Sequence, residues 1–178
     1  MNTLIVYYSF TKNNELLAKQ LQQQLCADIF RIETLKRRTL FSIFLDLFFK
    51  RKPSIRKHQL LLHNYDQLVF VAPIWAGKIA TPLVTFLCEE KGNIRRYSFI
   101  TLCGGGTGQR EKIEQQLTDL LSREPQMVTE LWISDLFSSE EKKNVTDVSR
   151  YKIQQGDWLK YMDKIEDFCS LIQGELVK

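Results

Sequence analysis

A chain of 178 residues is the size of one domain and is long enough to bury most of its apolar surface. It is 44% hydrophobic and 26% charged with a formal net charge of +4, values ordinary for a globular protein and unlike those of a disordered one. No run of about 18 apolar residues is present, so no spanning helix is expected, and the short apolar N-terminus lacks the basic flank of a signal peptide.

Leu4 to Tyr7 is an unbroken apolar run, the pattern of a strand buried on both faces. Ser9-Phe10-Thr11-Lys12-Asn13-Asn14 follows as a hydroxyl- and amide-rich turn, and Leu16, Leu17, Gln20 and Leu21 then fall at helical spacing. Strand, polar turn and helix together suit an anion: the free N–H groups at the helix start and the helix dipole both favour negative charge there. Ser9, Thr11, Asn13 and Asn14 add neutral donors for a phosphate, and Lys12 adds a cation. The plainer reading is that Asn13 or Asn14 caps the helix.

Ala27 to Glu33 alternates apolar and polar and reads as a second strand, nearer an edge. Leu35 to Lys57 then carries eight basic residues and one acid, a local charge of +7 that leaves −3 for the rest of the chain. The basic character is a patch rather than a general property, and no nucleic-acid partner is expected. Inside the patch, Leu40 to Phe49 reads as a helix that is apolar nearly all round, with Ser42, Asp46 and Lys50 as one thin polar stripe and Pro53 beyond its end. A helix of this kind suits a subunit contact, a lipid surface or burial on its own sheet. The expected role is a homodimer contact through 35–57, with a peripheral membrane contact as the second choice.

Gln67 to Pro73 is a third, continuous apolar strand, followed by Ile74-Trp75-Ala76-Gly77-Lys78 as a loop. Pro82 opens a helix whose apolar positions are Leu83, Val84, Phe86 and Leu87. Tyr97 to Cys103 is a fourth strand, Gly104 to Gly108 a loop that exposes backbone, and Arg110 to Leu121 a helix. Val128 to Ser134 is the fifth strand, and Ser138 to Gly156 is polar and irregular. Asp157 to Leu171 gives the last helix, with Asp157 as N-cap and Leu159, Met162, Ile165, Phe168 and Cys169 as its inner face. Cys26, Cys88, Cys103 and Cys169 are scattered without a CxxC pair, and His58 and His63 lack a carboxylate pattern. Reduced thiols in a cytoplasmic protein, and no metal site, are expected.

Five strands alternating with helices predict an α/β fold with a doubly wound parallel sheet, in one domain over 1–178 with insertions at about 35–57 and 138–156. Ligands in such sheets bind outside the carboxyl ends of the strands. Three unusual loops lie at such ends: Ser9–Asn14, Pro73–Lys78 and Gly104–Gly108.

These residues resemble a known family. YYSFTKNNELLAKQL is similar to the phosphate loop of flavodoxins, a serine or threonine, any residue, then threonine, glycine, asparagine and threonine: Ser9, Thr11 and Asn13 match. Lys12 stands where glycine is usual and Asn14 where threonine is usual. PIWAGKIATPLVTFL resembles the segment that borders the flavin ring after the third strand, and CGGG the one after the fourth. The resemblance implies a flavodoxin-like fold with strand order 2-1-3-4-5 that binds FMN. The cofactor-binding residues it implies are Ser9, Phe10, Thr11, Lys12, Asn13 and Asn14 in the first loop, Pro73, Ile74, Trp75, Ala76, Gly77 and Lys78 in the second, and Cys103, Gly104, Gly105 and Gly106 in the third.

Flavodoxins that carry electrons are typically acidic, and the basic patch here does not suit docking on a basic redox partner. Nor does the loop after the fourth strand hold an aromatic residue to cover the outer face of the ring. Both departures favour an oxidoreductase in which NADH or NADPH reduces the flavin and a quinone or similar acceptor takes two electrons, the chemistry running on the cofactor with no catalytic side chain. The other readings are a one-electron flavodoxin serving a redox protein, a flavodoxin-like protoporphyrinogen oxidase suggested by the basic apolar segment and Asp157-Trp158, and a non-enzymatic flavin-binding protein.

Overall fold

The structure is a computed structural model that describes residues 1–49, 51–137, 148 and 150–174. Its strands are β1 (Thr3–Tyr7), β2 (Asp28–Arg31), β3 (Gln67–Val71), β4 (Ile74–Trp75), β5 (Lys78–Ile79), β6 (Tyr97–Cys103) and β7 (Val128–Trp132). Its helices are α1 (Asn13–Leu25), α2 (Leu40–Phe48), α3 (Thr81–Glu89), α4 (Gln109–Leu121) and α5 (Met162–Gln173). Five strands make one sheet in the order β2-β1-β3-β6-β7, and every neighbouring pair is parallel. Counted among themselves these strands run 2-1-3-4-5, the flavodoxin-like order. The segment expected as the loop Ile74–Lys78 is instead a two-residue hairpin, β4 against β5, with Ala76 and Gly77 both at positive φ (48° and 73°). That is the turn geometry whose twist matches paired strands.

The apolar runs behave as a sheet covered on both faces requires: every residue of β1, β3 and β6 is buried, whereas β2, at the edge, has exposed ends (Asp28, Arg31) and a half-buried middle (Ile29, Phe30) in place of the expected alternation. Successive side chains point to opposite faces. Leu4, Val6, Leu68, Phe70, Tyr97 and Phe99 therefore meet Leu83, Phe86 and Leu87 of α3 and Ile113 and Leu117 of α4. Ile5, Tyr7, Val69, Val71, Ile100 and Leu102 face Leu17, Ala18 and Leu21 of α1 and Ile165, Phe168 and Ile172 of α5. Residue by residue, the strands alternate between the two halves of the core.

Two helices depart from the sequence expectation. The last one starts late. Gln154 and Asp157 form a reciprocal cap that begins a 3₁₀ turn over Gln155–Tyr161, and the α-helix opens only at Met162. Asp157 accepts hydrogen bonds from Gln154 N (2.7 Å) and the Tyr151 hydroxyl (2.9 Å) rather than capping α5. The tighter turn changes the phase, so Leu159 and Met162 face solvent at 75% and 44% exposure, while Ile165, Phe168 and Cys169 stay inside as expected. Residues 138–147 and 149 of the expected polar segment lie outside the described residues.

The second departure is α2, which is turned inside out. Of its expected polar stripe, Asp46 faces the protein and Ser42 is half-buried, while Lys50 lies outside the described residues. Asp46 is buried in an ion pair with Arg38 and accepts from the Thr81 hydroxyl at 3.5 Å, while Thr39 and Ser42 cap the helix start reciprocally. Leu40, Phe41, Phe44 and Phe48 face outward, each at least 60% exposed. A buried carboxylate needs its partner more than a phenylalanine needs cover, because an unpaired buried charge costs several kcal/mol and an exposed aromatic about 2. Among the described residues no helix is long and apolar enough to cross a membrane.

The phase of the C-terminal segment sets a test. Leu159→Ala should change the unfolding free energy by less than about 0.5 kcal/mol, and Phe168→Ala should lower it by about 3–5 kcal/mol, both read from urea denaturation midpoints.

Candidate functional site

The three loops singled out in the sequence converge at the carboxyl edge of the sheet. Trp75 of the hairpin packs edge-on against Tyr8 and Phe10, with ring centroids 5.8 and 6.2 Å apart, which brings the second loop onto the first. The hairpin is held in turn by Ile79 N donating to Gln116 Oε1 (3.0 Å) and Ala80 N to Pro73 O (3.0 Å).

The first loop joins the third through a side chain. Asn14 Nδ2 donates to Leu102 O (2.9 Å), and Leu102 N donates to Asn14 Oδ1 (3.0 Å). The reason lies in the sheet. β6 continues beside β7 through Leu102↔Leu131, but β3 pairs with β6 only as far as Val71↔Ile100, so on that side Leu102 has no β3 residue opposite it. The Asn14 amide supplies the missing peptide group. Asn13 works the same way on a different segment, donating to Tyr151 O (2.7 Å) and accepting from Ile153 N (3.2 Å). Both asparagines are buried as the first two residues of α1, neither side chain caps the helix, and each side-chain amide bonds to protein backbone. Their side chains build the loop, and their backbone is what faces an anion.

What remains for an anion is backbone and hydroxyl. The first helical hydrogen bond is Leu16 N to Lys12 O (3.0 Å), so the N–H groups of Asn13, Asn14 and Glu15 precede the ladder and have no partner among the described residues. Ser9 Oγ is buried and likewise unpartnered there. A buried hydroxyl without a partner costs about 1–3 kcal/mol, which a phosphate oxygen would recover. Thr11 and Lys12 are exposed at the mouth of the turn. Lys12 takes up a left-handed backbone (φ 74°) at the position where the resemblance expects glycine. Glu15 is the one acid in the first turn of α1, and the Lys19 ammonium at 3.0 Å, backed by Arg31 at 3.9 Å, holds its carboxyl below the usual range.

The third loop is shaped by its glycines. Gly105 sits at φ 93°, and a Cβ there would come 2.8 Å from Trp132 Cγ. The indole of β7 thus lies directly against bare backbone, and Gly104 and Gly105 are exposed. Cys103 is different: its side chain is buried, Gln109 Nε2 donates to its sulfur at 3.2 Å, and burial together with the Glu130 carboxylate pushes the thiol up to about 12. It contributes backbone to the site and no nucleophile.

Sequence reasoning missed one group. A cleft of about 470 Å³ opens beside Tyr8, Ser9 and Phe10 at the carboxyl ends of β1 and β2, and Arg31, Arg37, Arg38 and Arg56 line it. Arg38 is neutralised by Asp46 and Arg56 pairs with Glu33 at 3.2 Å, while Arg37 has no ion pair among the described residues. The local excess of positive charge was the available signal, but only the fold brings part of it beside the polar turn. Burial raises the Tyr8 phenol to about 12 against the pull of Arg38 and Arg31, so it stays protonated in the cleft.

The fold is found among known flavoproteins. The chain is similar to a flavoprotein from Lactobacillus acidophilus, solved in complex with FMN, at 19% identity and a TM-score of 0.64, over 72% of this chain and 92% of that one. The apo form of the flavoprotein from that organism aligns at 20% identity and a TM-score of 0.56, over 80% and 95%. A provisionally assigned flavoprotein from Bacteroides uniformis aligns at 18% identity and a TM-score of 0.60, over 80% and 95%. No protein-family model matches the chain, and no curated sequence does either. At these identities the likeness is one of fold, and the fold is flavodoxin-like.

Two outcomes test the geometry. Asn14→Ala leaves both polar groups of Leu102 unpaired and should lower stability by about 2–4 kcal/mol in chemical denaturation. In a thiol titration of the folded protein at pH 8, exposed Cys26 should react promptly. Cys103 and Cys169, raised to about 12 and about 11, stay protonated at that pH and should react only on unfolding.

Proposed function

We propose that the chain binds FMN at the convergence of its three loops and acts as an oxidoreductase that takes two electrons from NADH or NADPH and delivers them to a quinone or similar acceptor. The observation that carries the cofactor is the polar turn, where the buried Ser9 hydroxyl and three N–H groups at the start of α1, all without partners among the described residues, match a phosphate. Thr11 and Lys12 complete that set from the exposed side. Pro73 to Lys78, with Trp75 as the large apolar surface, and Cys103 to Gly106 are the segments that would flank the ring. FMN bound there supplies the electron and hydride transfer itself.

The preference for an enzyme over a carrier rests on what this chain places at the site. Gly104 and Gly105 offer backbone and no side chain at the third loop, so that loop does not cover a flat ligand. The arginine-lined cleft next to Ser9 supports an anionic second reactant, such as the diphosphate of a nicotinamide dinucleotide, and disfavours a basic protein partner.

Titration of the purified chain with FMN, followed by absorbance, should give a flavin-bound protein. Thr11→Val should weaken that binding at least about 10-fold, or about 1.4 kcal/mol. Lys12→Gly should weaken it less, and less again at high salt, because an exposed charge is screened. The loaded protein should then oxidise NADH or NADPH when a quinone is supplied. A loaded protein that ignores both nucleotides yet exchanges electrons with a reductase protein would mark a carrier. Failure to take up FMN would remove the reading altogether.

A further inference from the structure

We propose that the outward face of α2 docks on the surface of an anionic lipid bilayer. The helix is nine residues long, and of these only Ile43 and Asp46 are buried. Ile43 and Asp46 point inward, and Asp46 is locked there by Arg38 and Thr81. Leu40, Phe41, Phe44 and Phe48 therefore share the outer face at 75%, 70%, 60% and 70% exposure, and Phe49 adds 54% at its end. Phe44 and Phe48 stack on each other at 6.1 Å, and Phe48 meets Phe49 edge-on at 4.9 Å, so the ridge is continuous. No single rotation of the helix would hide these rings without exposing the buried ion pair.

Charge selects the occupant. Lys36 and Arg37 precede the ridge and Arg51 and Lys52 follow it, all exposed, and the Arg51 guanidinium lies 4.8 Å over the Phe49 ring. Cations at both ends of an apolar ridge match lipid headgroups above and acyl chains below. A second copy of the chain, the first expectation from the sequence, would bring the same +7 segment against itself in a twofold contact, where like charges oppose association. A helix of nine residues is about 14 Å long, under half the hydrocarbon thickness, so it lies in the interface plane.

Vesicle flotation of the full chain tests this without reference to the flavin. Wild type should float with vesicles containing phosphatidylglycerol at low salt, at least about 10-fold more than with phosphatidylcholine alone, and high salt should release it. Phe44→Ser with Phe48→Ser should abolish flotation while leaving circular dichroism and the melting midpoint unchanged, because both rings are already exposed. Lys36→Glu with Arg51→Glu should remove the preference for anionic lipid. Equal flotation of wild type and the Phe44→Ser, Phe48→Ser variant would overturn the proposal. So would a micromolar dimer, seen by light scattering, that the same variant dissociates.

Discussion

The carboxyl edge of this sheet depends on one side-chain amide. Where β3 turns away after Val71, β6 continues to Cys103, and Asn14 lends its Oδ1 and Nδ2 to Leu102 as if it were one more residue of the missing strand. Remove that pair and the polar turn after β1 loses its anchor on the glycine loop. The buried N–H and C=O of Leu102 would then have nothing to bond. Asn13 repeats the device toward Tyr151 and Ile153. Two adjacent amides thus fix the start of α1 in space, and its free N–H groups point at a place set by the sheet.

This explains why the fold was legible and the site only half so. The apolar runs of β1, β3 and β6 announce strands covered on both faces, and the polar residues within β2 and β7 go with their places at the two edges. The sheet order then follows from the resemblance that Ser9, Thr11 and Asn13 carry. Residue type alone does not say where an amide points. Asn13 and Asn14 look like side-chain ligands in the sequence, and their side-chain amides bond instead to the backbone of Leu102, Tyr151 and Ile153. Cys103 looks like part of a ligand-binding loop, and its sulfur is sealed under Gln109.

Periodicity has the same blind spot in α2 and α5. The polar stripe of Ser42 and Asp46 was visible, but the side it faces is decided by Arg38, four residues before Ser42, which reaches into the protein to meet the carboxylate. In the last helix the spacing of Ile165 and Phe168 held, whereas Leu159 fell on the wrong side because the Gln154–Asp157 cap starts a 3₁₀ turn with three residues per turn. Local hydrogen-bond chemistry overrode the apolar pattern in both places. The arginine cleft is the complementary case: its charge was plain in the sequence, and its location depended on β2 lying beside β1.

The hairpin after β3 differs from the other two walls of the site. The polar turn is tied through Asn14 to Leu102, at the end of β6 that leads into the glycine loop. The Ala76–Gly77 turn instead holds an alanine in a left-handed conformation (φ 48°), which costs about 1–2 kcal/mol that glycine or asparagine would not incur. The polar turn holds the same kind of strain at Lys12 (φ 74°), so what sets the hairpin apart is its fastening. It is held by Gln116 Oε1 on Ile79 N, by Ala80 N on Pro73 O and by the packing of Trp75 on Tyr8 and Phe10, with no tie to the amide that anchors α1.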